Sequence, residues 1–317
     1  MLTVKENAMD TVNLENFVCE IEEKSIDLYG ISVVQNGVLR GEYYKKNKLR
    51  KEIRSCSKSI TSLAVGRALD EGLFSLDDKI ADYFEEFFPK NPQPELFEVR
   101  IRDLLTMTMG YNHYILNPFV RENYKGDWLN YIFGEKLELK PGTKFVYNNA
   151  CPYLCGILIA MRSGQGFMDW MKERFFTPLG INNPQWFTCP MGRPLALGGL
   201  FLTLEELSRF GTLCLNNGEW EGKQLVSREY IKTATCRQVP VETGIDKVDE
   251  KPQKDFAAGY GYFFWINEKE GYRMWGRYGQ NCIVLPAKET VITTQALEEK
   301  NEQGLLDSIW DYIVPEL

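Results

Sequence analysis

Residues 53–73 read IRSCSKSITSLAVGRALDEGL and combine serines and one lysine with an amphipathic run. The apolar side chains recur at the spacing of one helix face, at Ile60, Leu63, Ala64, Ala68 and Leu69. Gly72 stands where the residue after a helix end is expected. The pattern predicts a buried helix from about Ser57 to Glu71.

Ser55 and Lys58 lie at the start of this helix, three residues apart, and would therefore share one face. A serine becomes a good nucleophile when a neighbouring base takes its proton. Burial would lower the pKa of Lys58 and allow it to act as a neutral amine, and the helix start offers amide groups for an oxyanion. The alternative is a chance S-x-x-K, two polar residues at an ordinary helix start.

Sequence on both sides of this helix predicts one sheet built from the two chain ends. Residues 29–46 form two β-rich runs around QNG, which is typical of a hairpin. Near the C-terminus come three further strand-like runs and a final helix, which read GYGYFFWIN, GYRMWGRYGQNCIVLP, ETVITTQAL and EQGLLDSIWDYIVPEL. TLEELSRFGTLCLNNG predicts another helix, with Thr203 as its cap and Glu206 completing a capping box.

The region between these ends reads as helices separated by Pro and Gly. Its helical segments are IRDLLTMTMG, DWLNYIF and ACPYLCGILIAMRSG. We therefore predict an α/β (α+β) fold with an antiparallel sheet, in which residues 1–75 and 191–317 form one domain and residues 76–190 a helical insert. The polar segment 241–256 is predicted to be a flexible loop.

A second candidate motif is GTKFVYNNA, in which Tyr147 and Asn149 lie two residues apart before a helix. In an extended segment these two side chains would point to the same side. A phenol whose pKa is lowered by Lys58 could take the serine proton and later deliver it to a leaving group. The alternative is that Asn149 caps the following helix and Tyr147 is ordinary packing.

A third candidate is RMWGRYGQNCIVLP. Gly276 would let the backbone come close to a ligand, and the amide of Arg277 would be a second oxyanion donor on an edge strand. The alternative is a glycine bulge in a β-strand.

Composition excludes several classes of function. The 317 residues carry 37 Lys and Arg against 44 Asp and Glu, a net charge of −7, without a basic stripe. Neither nucleic acid nor an anionic membrane is therefore an expected partner. The first residues, MLTVKENAMDTVNLENF, lack the features of a signal peptide, and no window approaches about 18 apolar residues, so we expect a cytoplasmic protein.

Cysteine and histidine usage bears on cofactors and mechanism. The eight cysteines are scattered, without C-x-x-C pairs, and are predicted to be reduced core residues. The single histidine, His113, has no carboxylate cluster with ligand spacing around it, so neither a metal site nor another cofactor is expected. Because G-x-S-x-G is also missing, a Ser-His-Asp triad is not expected either.

The order of the three motifs, S-x-x-K, Y-x-N and a late glycine-containing strand, resembles the serine β-lactamase-like family over roughly residues 28–315. That family includes class C β-lactamases, D-alanyl-D-alanine carboxypeptidases, related esterases and nylon-oligomer hydrolases. Further similar segments are IRDLLTMTMG, LGGLFLTLEELSRFG and GYGYFFW. The resemblance implies a β-lactamase/transpeptidase-like fold.

The resemblance also implies roles for the matching residues. Ser55 would be the acylated nucleophile, Lys58 its proton acceptor and Tyr147 the general base and acid. Asn149 would orient the substrate, and the amides of Ser55 and Arg277 would form the oxyanion hole.

This chain departs from the family at the third motif. With Gly276 as its glycine, Met274 and Trp275 stand where many members have a cation and a hydroxyl. A second register would use Gly279 instead. The first register favours the esterase and amidase branch, with a site mouth built from Trp275 and from Tyr111 and Tyr278.

The sequence thus predicts a serine acyl hydrolase acting on a small ester or amide. A β-lactamase or penicillin-binding D-alanyl carboxypeptidase is one alternative. A catalytically silent ligand-binding protein on the same fold is the other.

Overall fold

The computed structural model describes residues 11–45, 47–245 and 249–317. Its strands are β1 (Leu28–Gln35), β2 (Val38–Tyr44), β3 (Lys51–Glu52), β4 (Gln185–Trp186), β5 (Leu200–Leu202), β6 (Glu219–Trp220), β7 (Lys223–Gln224), β8 (Trp265–Ile266), β9 (Tyr272–Gly276), β10 (Gln280–Leu285) and β11 (Thr290–Ala296). Its α-helices are α1 (Glu15–Glu23), α2 (Cys56–Asp70), α3 (Ala81–Phe84), α4 (Ile101–Leu105), α5 (Pro118–Asn123), α6 (Trp128–Gly134), α7 (Ala150–Ser163), α8 (Phe167–Met171), α9 (Leu204–Leu215), α10 (Arg228–Ala234) and α11 (Glu302–Ser308).

The two ends of the chain meet in one antiparallel sheet of order β2-β1-β11-β10-β9-β8. β1 turns into β2 through Asn36 and Gly37, both with positive φ, as a two-residue hairpin requires. On its other side β1 pairs with β11, where Val33 faces Ile292. The predicted hairpin and the predicted joining of both ends in one sheet are confirmed.

Helices cover both faces of this sheet. α2 and α9 pack on one face, where Leu207 and Val291 belong to the larger hydrophobic cluster. α1 and α11 cover the other face around Phe17 and Ile309. α9 begins with the predicted capping box, in which the Thr203 hydroxyl accepts from the amide of Glu206 at 3.1 Å.

The predicted buried helix is confirmed as α2, which is buried on nearly all sides and not only on the face of its apolar residues. It lies between β9 of the sheet, α7 of the central region and α10. Because water cannot reach its polar side chains, they need partners in the protein. Ser59 donates to Phe263 O at 2.5 Å, Thr61 donates to Ala196 O at 2.7 Å, and Ser62 lies 2.9 Å from the hydroxyl of Tyr230.

The central region is mainly helical, as predicted, and holds α3 to α8. α4 is shorter than its sequence pattern indicated, because it ends at Leu105 and Met107 has a left-handed φ of 58°. A three-stranded sheet of order β3-β5-β4 joins this region to the chain just before α2. The proposed domain limits stay a prediction.

Some local expectations were wrong or incomplete. α1 and α10 were not foreseen, and in GYGYFFWIN only Trp265 and Ile266 form a strand. All eight cysteines are free thiols, but Cys19 and Cys236 are exposed rather than buried. Among the residues that the structure describes, no helix combines the length and apolar character that crossing a membrane requires.

The segment 241–256 was predicted to be a flexible loop, and its residues 246–248 lie outside the described residues. The remainder is irregular but packed. The Thr243 hydroxyl donates to Phe145 O at 3.3 Å, and the buried ring of Phe256 lies 4.3 Å from that of Trp265. Its described residues are therefore anchored to the core beside β9.

Candidate active site

Ser55 and Lys58 meet at the start of α2, beneath the end of β9. Ser55 occupies the position before the first helical residue, and its Oγ lies 2.8 Å from Lys58 Nζ. Lys58 is only 2 % exposed, and its Nζ also donates to Leu197 O at 2.8 Å. The amine is thus fixed by the protein on one side and faces the serine on the other.

The environment of Lys58 favours a neutral amine. Burial holds its pKa well below the usual lysine range, and the nearby guanidinium groups of Arg121 and Arg277 lower it further. Both effects penalise the protonated form. Lys58 can therefore accept the Ser55 proton across a hydrogen-bond distance.

Tyr147 is the second group brought to this point. Its ring lies 5.0 Å below Lys58 Nζ and stacks on Trp265 at 5.9 Å. Its hydroxyl is buried and has no hydrogen-bond partner of ordinary geometry. Burial raises its pKa strongly, and the nearby Ser55 hydroxyl offsets only part of that rise.

The prediction that Lys58 lowers the pKa of this phenol is therefore wrong. The amine faces the ring of Tyr147, and it is itself poised to be neutral. A neutral neighbour supplies no charge that would stabilise a phenolate. Tyr147 keeps its proton and is suited to be a general acid.

Asn149 precedes α7 but does not cap it, because its side chain makes no capping hydrogen bond. The cap is supplied by Asn148, whose Oδ1 accepts from the amide of Cys151 at 3.0 Å. Asn149 instead donates from Nδ2 to Leu116 O at 2.8 Å, and its buried Oδ1 has no partner. An unused amide oxygen next to Tyr147 is available to a ligand.

Gly276 is the glycine that approaches the nucleophile. A Cβ added to it would lie 2.6 Å from Ile53 O and 3.0 Å from Ser55 N, so only glycine lets β9 come this close. A Cβ on Gly279 would instead meet Leu305 at 2.7 Å, on the far side of the turn. The geometry therefore favours the register with Gly276, which puts the amide of Arg277 next along the strand.

The three predicted aromatic wall residues have different environments. Trp275 lines a cavity of about 290 Å³ together with Phe256, Arg277 and Glu302. Tyr278, in the turn after β9, lies under the guanidinium of Arg54 at 5.0 Å. Tyr111 does not form a wall: it is 1 % exposed, and its hydroxyl donates to Ile132 O in the core at 2.6 Å.

Two further residues that the motifs did not point to act on the site, Tyr114 and Arg121. Tyr114 packs edge-on against Tyr147 at 5.9 Å. Burial raises its pKa, while Arg121, Arg277 and the amide of Asn149 lower it. Neither Tyr114 nor Arg121 belongs to a recognisable motif. Tyr114 reaches Asn149 because the carbonyls of Ile115 and Leu116, in the loop before α5, accept hydrogen bonds from Asn149. His113 lies apart from this chemistry, 3.4 Å from a carboxylate oxygen of Glu135.

The chain matches one known protein family over most of its length. The family model described as Beta-lactamase matches residues 33–303. The chain belongs to the β-lactamase family. The family prediction made from the three motifs is confirmed, and so is the predicted fold class.

Curated relatives of this β-lactamase-family chain include an esterase. It is 24% identical over 212 residues to the lovastatin esterase of Penicillium rubens, a match that covers 59% of this chain and 52% of that protein. It is 29% identical over 136 residues to the protein flp of Staphylococcus aureus, covering 42% and 27%. The matches thus span about half or less of the length of these relatives.

Solved structures agree on the architecture. A protein described as a 6-aminohexanoate-dimer hydrolase from Bacillus anthracis superimposes with a TM-score of 0.76 at 22% identity, covering 96% of this chain and 86% of that one. At this identity the likeness shows the fold alone.

Proposed function

We propose that the chain is a serine acyl hydrolase that cleaves a small ester or amide through an acyl-enzyme on Ser55. The observation that carries the proposal is the 2.8 Å contact between Ser55 Oγ and a buried Lys58 amine whose pKa is depressed. The relative named lovastatin esterase supports an ester as the substrate.

The first half of the reaction forms the acyl-enzyme. Ser55 Oγ attacks the carbonyl carbon while its proton passes to neutral Lys58, and the amides of Ser55 and Arg277 hold the oxyanion. Tyr147 then donates its phenolic proton to the leaving oxygen or nitrogen as that bond breaks. Lys58 returns a proton to the phenolate, so both groups regain their starting states.

The second half releases the acid. Water attacks the acyl carbon, and its proton is taken by Lys58 as the serine proton was. The bond to Ser55 Oγ breaks and the serine recovers its proton from Lys58. Asn149 uses its unpartnered Oδ1 to orient the acyl portion in both halves, while its Nδ2 stays bound to Leu116 O.

The test is intact-mass spectrometry after exposure to a fluorophosphonate and, separately, to a penicillin, alongside hydrolysis of 4-nitrophenyl esters. Ser55→Ala should lose the fluorophosphonate adduct and at least about 10³-fold in turnover, because the nucleophile is gone. Ser59→Ala is the matched control, since that serine lies in the same helix but donates to Phe263 O. It should keep the adduct.

The other outcomes separate the alternatives. An adduct or full turnover in Ser55→Ala would refute the proposal. A stable penicillin adduct in the wild type would favour a penicillin-binding protein. No adduct from either probe, together with no ester hydrolysis, would favour a silent ligand-binding protein.

A further inference from the structure

A small chamber lies between the sheet and α11. Arg273 and Trp275 are two residues apart in β9, and Asn281 of β10 pairs with Trp275, so their side chains point to the same side of the sheet. These three residues line a chamber of about 20 Å³, and Glu302 and Leu306 of α11 line it from the helix side.

Three of the lining residues each carry a polar atom without a partner. Arg273 Nε, Asn281 Oδ1 and Glu302 Oε2 are buried and make no hydrogen bond to any residue that the structure describes. Arg273 is 1 % exposed and Asn281 is 3 % exposed. Because a buried polar atom without a partner destabilises the fold, three such atoms around one chamber indicate a bound ligand.

The other polar atoms of Arg273 and Asn281 are already used. Arg273 Nη1 donates to Asn267 Oδ1 at 2.7 Å, and Nη2 donates to Asp255 O at 3.1 Å. Asn281 Nδ2 donates to Thr294 Oγ1 at 3.2 Å. These bonds fix both side chains and leave one donor, Nε, and one acceptor, Oδ1, for a ligand.

The unpartnered atoms define the chemistry of that ligand. Burial lowers the pKa of Arg273 to about 10, so its Nε is a donor at neutral pH, whereas Asn281 Oδ1 and the Glu302 carboxyl group accept. A hydroxyl oxygen can accept from Nε and donate to an acceptor. An ammonium ion cannot accept from Nε, and a carboxylate has no hydrogen to donate.

The size of the chamber limits the ligand to a small group. A space of about 10–15 Å³ holds one water molecule, so this chamber holds little more than one oxygen. It adjoins the cavity of about 290 Å³ beside Arg277, with which it shares lining residues. The shared residues are Gln253, Phe256, Trp275, Glu302 and Gln303.

We propose that Arg273, Asn281 and Glu302 bind one neutral hydroxyl oxygen. The oxygen belongs either to a water molecule or to a small alcohol whose carbon atoms contact Phe256 and Trp275 in the larger cavity. This site does not depend on the proposed acyl hydrolase function, because neither ligand contains an ester or an amide.

The first test is a high-resolution crystal structure of the wild type, determined without additive and after soaking in 1-phenylethanol. We expect an oxygen at about 2.5–3.2 Å from Arg273 Nε, Asn281 Oδ1 and Glu302 Oε2. If the soaked alcohol places its hydroxyl there, the ligand is an alcohol; if a water stays, the ligand is water. A chamber without an ordered oxygen, or with a metal cation or a chloride in it, would overturn the inference.

The second test compares 1-phenylethanol with acetophenone and 1-phenylethylamine, which share one carbon skeleton. Ligand-observed NMR titration of the wild type gives the three Kd values. An alcohol that enters the chamber should bind about tenfold or more tightly than the ketone, because the ketone leaves the acceptors unpartnered. The ammonium ion should also bind more weakly, because it faces the guanidinium of Arg273. A ketone or an ammonium ion bound in the chamber as tightly as the alcohol would overturn the inference.

A double variant, Asn281→Leu with Glu302→Met, removes both acceptors. It should lose the ordered oxygen, and the ratio of the ketone and alcohol Kd values should fall to about one. The matched control is Lys300→Met, since Lys300 is exposed and lines the larger cavity but not the chamber; it should keep both. An ordered oxygen that stays in the double variant would refute the assigned ligands, and the wild-type tests stand if this variant does not fold.

Discussion

Two groups of buried polar side chains, one along α2 and one beside the start of that helix, differ in one respect. Along α2, Ser59, Thr61 and Ser62 each have a hydrogen-bond partner in the protein, at 2.5–2.9 Å. Next to the start of the same helix, the Tyr147 hydroxyl and the Asn149 Oδ1 are equally buried and have none.

This difference separates polar groups that stabilise the fold from polar groups that are proposed to act on a substrate. A buried polar atom without a partner destabilises the fold by about 1–3 kcal/mol, so most such atoms in proteins are paired. The partnered hydroxyls of α2 hold the helix in the core. The unpartnered atoms of Tyr147 and Asn149 make no such contribution to the fold, which supports the proposal that they contact a substrate.

Tyr147→Phe is the change that tests this distinction most strongly. The ring would keep its packing on Trp265 and Tyr114, while the proposed proton donor would be lost. We expect kcat to fall about 10²- to 10⁴-fold, the usual contribution of a general acid. The free energy of unfolding should stay the same or rise slightly, because the lost hydroxyl has no partner.

Steady-state kinetics with a 4-nitrophenyl ester and urea denaturation measure the two effects. Tyr260→Phe is a matched control, since Tyr260 is another buried tyrosine of the same aromatic cluster. If the Tyr147→Phe protein were destabilised but fully active, the Tyr147 hydroxyl would stabilise the fold, as the hydroxyls of Ser59, Thr61 and Ser62 do, and would not act in catalysis.

Local sequence patterns were enough to predict the parts of the molecule that depend on neighbours in the chain. The QNG hairpin, the helix after Ser55 and the capping box at Thr203 each depend on a few consecutive residues, and all three are confirmed. α1 was missed because its N-cap residue is Leu14, which has no capping side chain, although Asn13 Oδ1 accepts from the amide of Glu15 at 2.8 Å. Its formation depends on packing against the C-terminal helix.

Contacts between distant segments explain what could not be predicted. Tyr114 packs against Tyr147 because the loop that follows it hydrogen-bonds to Asn149, a residue far away in sequence. The direction of the Tyr147 pKa shift depends on how deeply the ring is buried. Neither the contact between the loop and Asn149 nor the burial of the Tyr147 ring can be read from the sequence. The proximity of Ser55 and Lys58, in contrast, follows from helix spacing.

Lys58 combines the properties of both groups of polar side chains. Its amine donates to Leu197 O, as the hydroxyls of α2 donate to carbonyls of the core, and the same amine also contacts Ser55 Oγ. If the neutral amine is the base, kcat/KM should fall about tenfold for each pH unit below its pKa. That acidic limb should lie below the normal lysine range, since burial and then Arg121 and Arg277 lower the pKa. A pH profile with a neutral ester measures its position.

The Arg121→Met variant should shift the acidic limb of this pH profile in a direction that follows from charge. Removing one nearby positive charge makes the protonated form of Lys58 less unfavourable, so its pKa rises and the acidic limb moves to higher pH. Lys125→Met, in which the lost charge is exposed, should leave the limb in place. A limb that moves to lower pH in Arg121→Met would show that Lys58 does not control it.

The smallest expected effect on turnover comes from the structural group, at the pair of Ser62 and Tyr230. Their hydroxyls lie 2.9 Å apart in the core. Ser62→Ala leaves the Tyr230 phenol without this partner and should lower the free energy of unfolding by about 1–3 kcal/mol. Removing both hydroxyls, with Tyr230→Phe added, should cost less than the two single changes together, because neither polar group is then left unpaired.

Unlike Tyr147→Phe, these changes should leave the rate of catalysis nearly unchanged. Neither hydroxyl of this pair belongs to the proposed machinery, so kcat/KM should stay within about twofold of the wild type, as is usual when the proton-transfer groups are intact. Urea denaturation of the four proteins in the cycle gives the coupling energy, and ester hydrolysis gives the rate. If Ser62→Ala lowered kcat as much as Tyr147→Phe without changing stability, the distinction would fail. A buried hydroxyl with a hydrogen-bond partner in the protein would then also take part in catalysis.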